Sequence, residues 1–242
     1  MLPLRNDQPT STRPFITFTL IAINILVFSW EFILTAGFNN RSAVGELFFS
    51  LGAIPILVVD AIQNLRVEGL LTVLTSMFLH GGPAHIFGNM LFLFVFGNNI
   101  EDKFGHIRFL LLYLLFGATG AVTHSYIAVI SEGITFCQSQ LFGIAATCTP
   151  AVGASGAISG ILGAFLILFP RSNVINVFFV LYIIRLVRLP AFLYLGFWFL
   201  IQFFFGALGT GSSVAYWAHV GGFVAGALVA LPTKLFWRRN WQ

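Results

Sequence analysis

Apolar residues run along this chain in long blocks separated by short polar segments. Several blocks reach the ~20 residues needed to cross a hydrocarbon core of ~30 Å. The pattern predicts six membrane helices. They cover about Phe15–Leu34, about His85–Ile100, about Phe109–Ile130, about Ala151–Phe169 (stopped by Pro170), Pro190 to about Leu208, and about Ala215–Leu231 (closed by Pro232). Pro190 is a favoured first-turn residue. Two further apolar blocks, Leu47–Ile62 and Val174–Ile184, are too interrupted or too short to span, and each fits an interfacial helix or a hairpin lying on the membrane. Helices are the expected spanning element because each satisfies its own backbone hydrogen bonds. The ~10-residue alternating segments of an outer-membrane barrel are not seen. The expected fold is therefore an all-α polytopic membrane protein. Its tails are residues 1–14 and 236–242, and its membrane domain is residues 15–235.

Composition agrees with this pattern. Of 242 residues, 58% are hydrophobic and 8% charged, with 29 Phe and 24 Gly. A soluble domain carries about a quarter charged residues, so the bilayer is the expected solvent. No cleavable signal peptide is read at the start, because Phe15 opens a full-length span with no A-x-A-like site after it. The net charge of +4 is no nucleic-acid signal, since the basic residues are spread along the chain. They instead report topology. With the N-terminus in the cytoplasm, the cytoplasmic segments hold Arg5, Arg13, Lys103, Arg108, Arg171, Arg185, Arg188, Lys234, Arg238 and Arg239. The outer segments hold only Arg41 and Arg66. This bias places both termini in the cytoplasm, and the expected location is the plasma (inner) membrane.

In that topology the second, fourth and sixth helices enter from the outer face, so their first turns share one depth. His80, His85 and Asn89 lie at the start of the second, Ser155 at the start of the fourth and His219 at the start of the sixth. Polar side chains inside a membrane are costly and face the bundle interior. A Ser hydroxyl needs an adjacent base to become nucleophilic, and His is the natural one. Asn89, His85 and the backbone N–H of Ser155 are suited to hold a developing oxyanion. No acidic residue is expected in the layer, so a Ser–His dyad is the economical reading. Gly156, Gly160 and Gly163 on the fourth helix and Ala218, Gly222 and Gly226 on the sixth are spaced to let two backbones approach closely. Neither metal nor cofactor is expected, since His80 and His85 do not share a helix face and no HExxH is present.

The segments HGGPAHIFGNM, GNNIEDKFGHIRFLLLYLLFG, VGASGAISG and AHVGG, in this order, resemble the rhomboid family of intramembrane serine proteases from about Leu71 to Pro232. The resemblance implies a rhomboid-like six-helix bundle with a water-filled cavity open to the outer side. It implies Ser155 as nucleophile, His219 as general base and His85 and Asn89 as oxyanion stabilisers, with Gly153 shaping the hole. The implied partners are the lipid bilayer and single-span membrane proteins, cut within or near the membrane. A non-catalytic rhomboid-like protein that binds or escorts transmembrane clients is the alternative, which retention of the Ser–His pair disfavours. Some rhomboids carry an aromatic residue one turn after the nucleophile, packed on the histidine. Ser159 stands there in this chain, so support for the His219 ring is an open question, and Ser159 itself is expected to hydrogen-bond between helices. His80 is expected to be structural, and His106 and His124 need no role. Gly37–Glu68 is expected to flank the site, and the fifth helix, ending near Gly206, Gly209 and Gly211, to act as a gate. The Glu101–Arg108 charges are expected to fix a cytoplasmic turn. Cys137 and Cys148 share an outer loop, where a disulfide is compatible with an oxidising compartment.

Overall fold

A computed structural model of the chain describes residues 2–132, 146–180, 183–209 and 214–239. Cys137 and Gly211 lie outside the described residues, and with Cys137 the disulfide reading. Each of the six expected helices is present. They are α1 (Phe15–Leu34), α5 (Pro83–Phe104), α6 (His106–Glu132), α7 (Ser155–Leu168), α8 (Ala191–Leu208) and α9 (Tyr216–Arg239). Four of them are long and apolar enough to cross a membrane, over Phe15–Leu34, His106–Ser131, Ala191–Leu208 and Tyr216–Phe236. α7 is apolar but shorter, and α5 ends in the charged run Glu101–Asp102–Lys103.

Helix ends depart from expectation where local chemistry overrides apolarity. α7 begins at Ser155 rather than Ala151, because Ala151 exchanges two backbone hydrogen bonds with Ala53, at 2.9 and 3.0 Å. Gly153 then takes φ +128°, which no helix accommodates. α9 runs past Pro232 to Arg239. A proline removes one i→i−4 bond and crowds the preceding turn, yet here it does not end the helix. The Leu47–Ile62 block becomes α2 (Arg41–Leu51) and α3 (Pro55–Asn64), parted at Gly52, where Pro55 opens a new helix; α4 (Val67–Ser76) follows.

Val174–Ile184 forms a hairpin, the second of its two expected options. β2 (Asn173–Val180) pairs antiparallel with β3 (Ile183–Pro190), and β1 (Leu2–Asn6) adds to the other edge of β2. Recurrent Val and Ile favour strand over helix. The segment expected to be a plain polar tail is thus tied down. Asn6 Nδ2 donates to Val95 O (2.6 Å) and Asn99 Oδ1 (2.8 Å) on α5. The Asp7 carboxylate accepts from Asn173 Nδ2 and N (both 2.7 Å) and Ser172 Oγ (2.8 Å). These bonds, that from the Asn173 side chain foremost, hold the Asp7 carboxyl below its ordinary 3.8.

The charges at the α5–α6 junction pair across the turn as expected, and also reach beyond it. Buried Glu101 accepts from the N–H groups of Ile16 (2.8 Å) and Thr17 (2.7 Å), from Thr17 Oγ1 (2.7 Å), and pairs with His106 Nδ1 at 2.6 Å. Asp102 accepts from the backbone and hydroxyls of Ser11 and Thr12 at 2.6–3.0 Å. Glu101 therefore binds open N–H groups at the start of α1 and Asp102 the segment just before it, and His106, for which no role was expected, joins Glu101.

α7 is the central strut. Gly156 through Phe165 are all buried, with Phe96 of α5 edge-on to Phe165 at 5.0 Å and Phe116 of α6 against Gly160. On the α9 side a Cβ at Gly222 would collide with Gly156 O, and one at Gly226 with Gly160 O. The expected glycine faces do meet backbone to backbone. This contact sets how near the first turns of the two helices lie.

Candidate active site

Ser155 is the first residue of α7 and His219 lies in the first turn of α9. With the glycine faces in contact, Ser155 Oγ and His219 Nε2 stand 2.7 Å apart. That is within the 2.6–3.2 Å over which a base can take a hydroxyl proton. Both residues are only partly buried. The positive end of the α7 dipole and its unpaired first N–H groups converge on the same place.

The expected oxyanion residues gather beside this pair. Gly153 is held by its N–H bond to Ser76 O at 2.8 Å. A Cβ on Gly153 would lie 2.8 Å from His85 Nε2 and 3.6 Å from Asn89 Nδ2, so both side chains point at the Gly153 backbone. The Asn89 amide nitrogen is buried and has no hydrogen-bond partner among the described residues. An orphaned buried donor costs free energy unless something accepts from it. His85 Nδ1 accepts from the Gly81 N–H at 3.3 Å, which leaves Nε2 as the protonated nitrogen of the neutral ring.

The remaining expectations sort clearly. Ser159 is buried and donates to Ser155 O in its own helix at 2.6 Å, not across helices as expected. His80 is fully buried with its ring edge-on to His85 at 5.1 Å, in keeping with a structural part. An acid does stand near the layer, contrary to expectation: buried Glu31 of α1 accepts from the His80 N–H at 3.2 and 3.3 Å. It serves the loop before α5 and not the Ser155–His219 pair. Gly37–Glu68 does flank the site, through the Ala53–Ala151 bridge and through Gly52 set against Pro150 and Val152.

Two neighbours of His219 were not anticipated. Gln202 Oε1 lies 2.7 Å from His219 Nδ1, and the Trp198 ring lies 5.9 Å from the imidazole at 32°. Both come from α8. A signal was present: Gln202 is the one amide in α8, and Trp198 stands four residues before it on the same face.

Comparison with known proteins decides the family. The rhomboid domain model matches residues 67–235. This chain belongs to the rhomboid family. "RHOMBOID-like protein 12, mitochondrial" of Arabidopsis thaliana is 31% identical over 202 residues, covering 81% of this chain and 53% of that protein. "Rhomboid protease GluP" of Bacillus subtilis (strain 168) is 33% identical over 154 residues, covering 64% and 24%. "Rhomboid protease AarA" of Providencia stuartii is 30% identical over 155 residues, covering 63% and 50%. The chain thus spans about half or less of the length of these relatives. The rhomboid domain contains each of Asn89, His85, Gly153, Ser155 and His219, together with Trp198 and Gln202.

Proposed function

We propose that this rhomboid is an intramembrane serine endopeptidase that hydrolyses peptide bonds of single-span membrane proteins within or near the membrane. One observation carries the reading, the 2.7 Å approach of Ser155 Oγ to His219 Nε2. Ser155 Oγ attacks the scissile carbonyl carbon while His219 Nε2 takes the hydroxyl proton. The carbonyl oxygen becomes an oxyanion and accepts from Asn89 Nδ2, His85 Nε2–H and the start of α7, with Gly153 leaving room for it. His219 returns the proton to the departing amine nitrogen as the C–N bond breaks. Water then attacks the acyl ester with His219 again as base, which releases the new carboxyl group and restores Ser155.

The length of α7 supports a site below the surface. Its 14 residues reach about 21 Å at ~1.5 Å per residue, against a core of ~30 Å. If its far end meets the cytoplasmic interface, Ser155 lies about 9 Å beneath the outer one. The basic residues support cytoplasmic termini, with the plasma (inner) membrane as the proposed location, and the exposed Phe and Leu of α8 suit a helix that parts from its neighbours to admit substrate from the lipid.

The test is cleavage of a model single-span substrate in liposomes. Ser155→Ala and His219→Ala are expected to fall to background. Ser159→Ala, which loses only a bond to its own helix, should stay within about threefold of wild type, as expected for one neutral hydrogen bond. A fluorophosphonate should label the wild type and not Ser155→Ala. Cleavage by Ser155→Ala at the wild-type rate would refute the proposal.

A further inference from the structure

We infer that Gln202 is the positioning residue of the general base, filling the place that a carboxylate holds in a Ser–His–acid triad. The inference rests on the protease reading above. No acid faces His219 in the described structure. Glu31, the buried carboxylate closest to this layer, is engaged by the His80 N–H. The atom that meets His219 Nδ1 is Gln202 Oε1, at 2.7 Å. An amide oxygen only accepts, so the ring proton sits on Nδ1 and Nε2 presents its lone pair to the Ser155 hydroxyl at 2.7 Å. Which imidazole nitrogen carries the proton is set by the bond the other makes. Gln202 thereby selects the one neutral tautomer able to act as base. When His219 takes the proton, the same contact becomes a bond from a charged donor to a neutral acceptor, and such bonds are stronger than neutral ones.

An amide suits this place better than a carboxylate. Gln202 is 8% exposed on a helix otherwise lined with Phe, Leu and Trp, and a charge buried there would carry a heavy desolvation cost. Trp198, one turn earlier, sets its ring against the imidazole, 5.9 Å between centroids and tilted by 32°. Orientation of the base is thus supplied from α8, and the position four residues after the nucleophile is free to hold Ser159, whose hydroxyl turns back to Ser155 O. This resolves the open question of what supports the ring.

The experiment compares Gln202→Met and Gln202→Leu with Gln202→Glu, using purified full-length protein in liposomes and the same single-span substrate. Ser155→Ala serves as control. Met and Leu keep the bulk and remove the acceptor; Glu keeps an acceptor oxygen whether or not it is ionised. Losing a hydrogen bond from a charged donor predicts a kcat about ten- to a hundredfold lower for Met and Leu, with KM unchanged. Fluorophosphonate labelling of Ser155 should slow in parallel, since it reads nucleophile activation without substrate. Gln202→Glu should keep kcat and labelling above both. A role in packing alone predicts the reverse order, because Met fills the apolar site more cheaply than Glu. Wild-type kcat and labelling in Gln202→Met or Gln202→Leu, or Gln202→Glu falling below either, would overturn the assignment. Cleavage by Ser155→Ala would instead remove the protease reading on which it stands.

Discussion

On the proposed mechanism, Gly153→Ala separates the oxyanion site from the nucleophile and base. The native φ of +128° lies where L side chains rarely go, and forcing one there costs about 1–3 kcal/mol. The new methyl group would meet His85 Nε2 at 2.8 Å and Cε1 at 2.9 Å, whereas ordinary contact begins at 3.4 Å. His85 must therefore retreat by about 0.6 Å, which exceeds the ~0.5 Å tolerance within which catalytic groups have to be held. The Ser155–His219 contact involves neither Gly153 nor His85 and should survive. Loss of one oxyanion donor lowers kcat by about 10²–10³, so the variant should show that fall with KM little changed. The assay is steady-state cleavage of the single-span substrate in liposomes, with melting of the detergent-solubilised protein as a check on folding. Adding His85→Ala should not restore kcat, because it relieves the clash by deleting the donor. A Gly153→Ala protein that turns over at the wild-type rate would refute both the placement of the oxyanion and the part given to His85.

Glu101→Gln should destabilise the protein by about 2–4 kcal/mol, because four partners lose a charged acceptor and the new amide arm turns an N–H toward two of them; a lower melting temperature in detergent checks it. Asp7→Asn should release the sheet from the start of the chain at neutral pH, seen as faster hydrogen exchange at the Asn173 amide. In the wild type the same clasp has a defined pH sense. The folded-state value lies below the ordinary 3.8, so its stabilising effect is present above that value and fades as pH falls through the folded-state one. Protection of the Asn173 amide, taken relative to its intrinsic exchange rate at each pH, should fall only in that acid range, and an Asn173 amide equally protected in Asp7→Asn would contradict the role given to the carboxylate.

The apolar blocks were enough to place six helices, because a spanning helix must be apolar nearly all round whatever it packs against. The Ser155, His219, Asn89 and His85 layer was legible for a related reason: polar groups are few in such a chain and each must find the interior. The start of α7 was not legible. Ala151 and Val152 are as compatible with a helix as with the bridge to Ala53, and only that distant partner decides. Strand β1 was invisible for the same reason, since LPLRN is short, carries a proline and pairs with residues 173–180. The role of Glu101 needed the position of Ile16 and Thr17, far away in sequence. Gln202 was different. It was readable as a lone amide on an apolar helix, but the polar layer was assembled only from helices entering at the outer face, and α8 approaches that layer by its other end.

The pairing of β1 with β2 also says something about the order of assembly. Residues 2–6 cannot take their final place until the ribosome has delivered residues 173–180, when α1, α5, α6 and α7 are already made. The early segment must wait unpaired while those helices enter the bilayer, and its docking becomes a late latch that registers when the first seven helices of the chain have arrived on the correct sides.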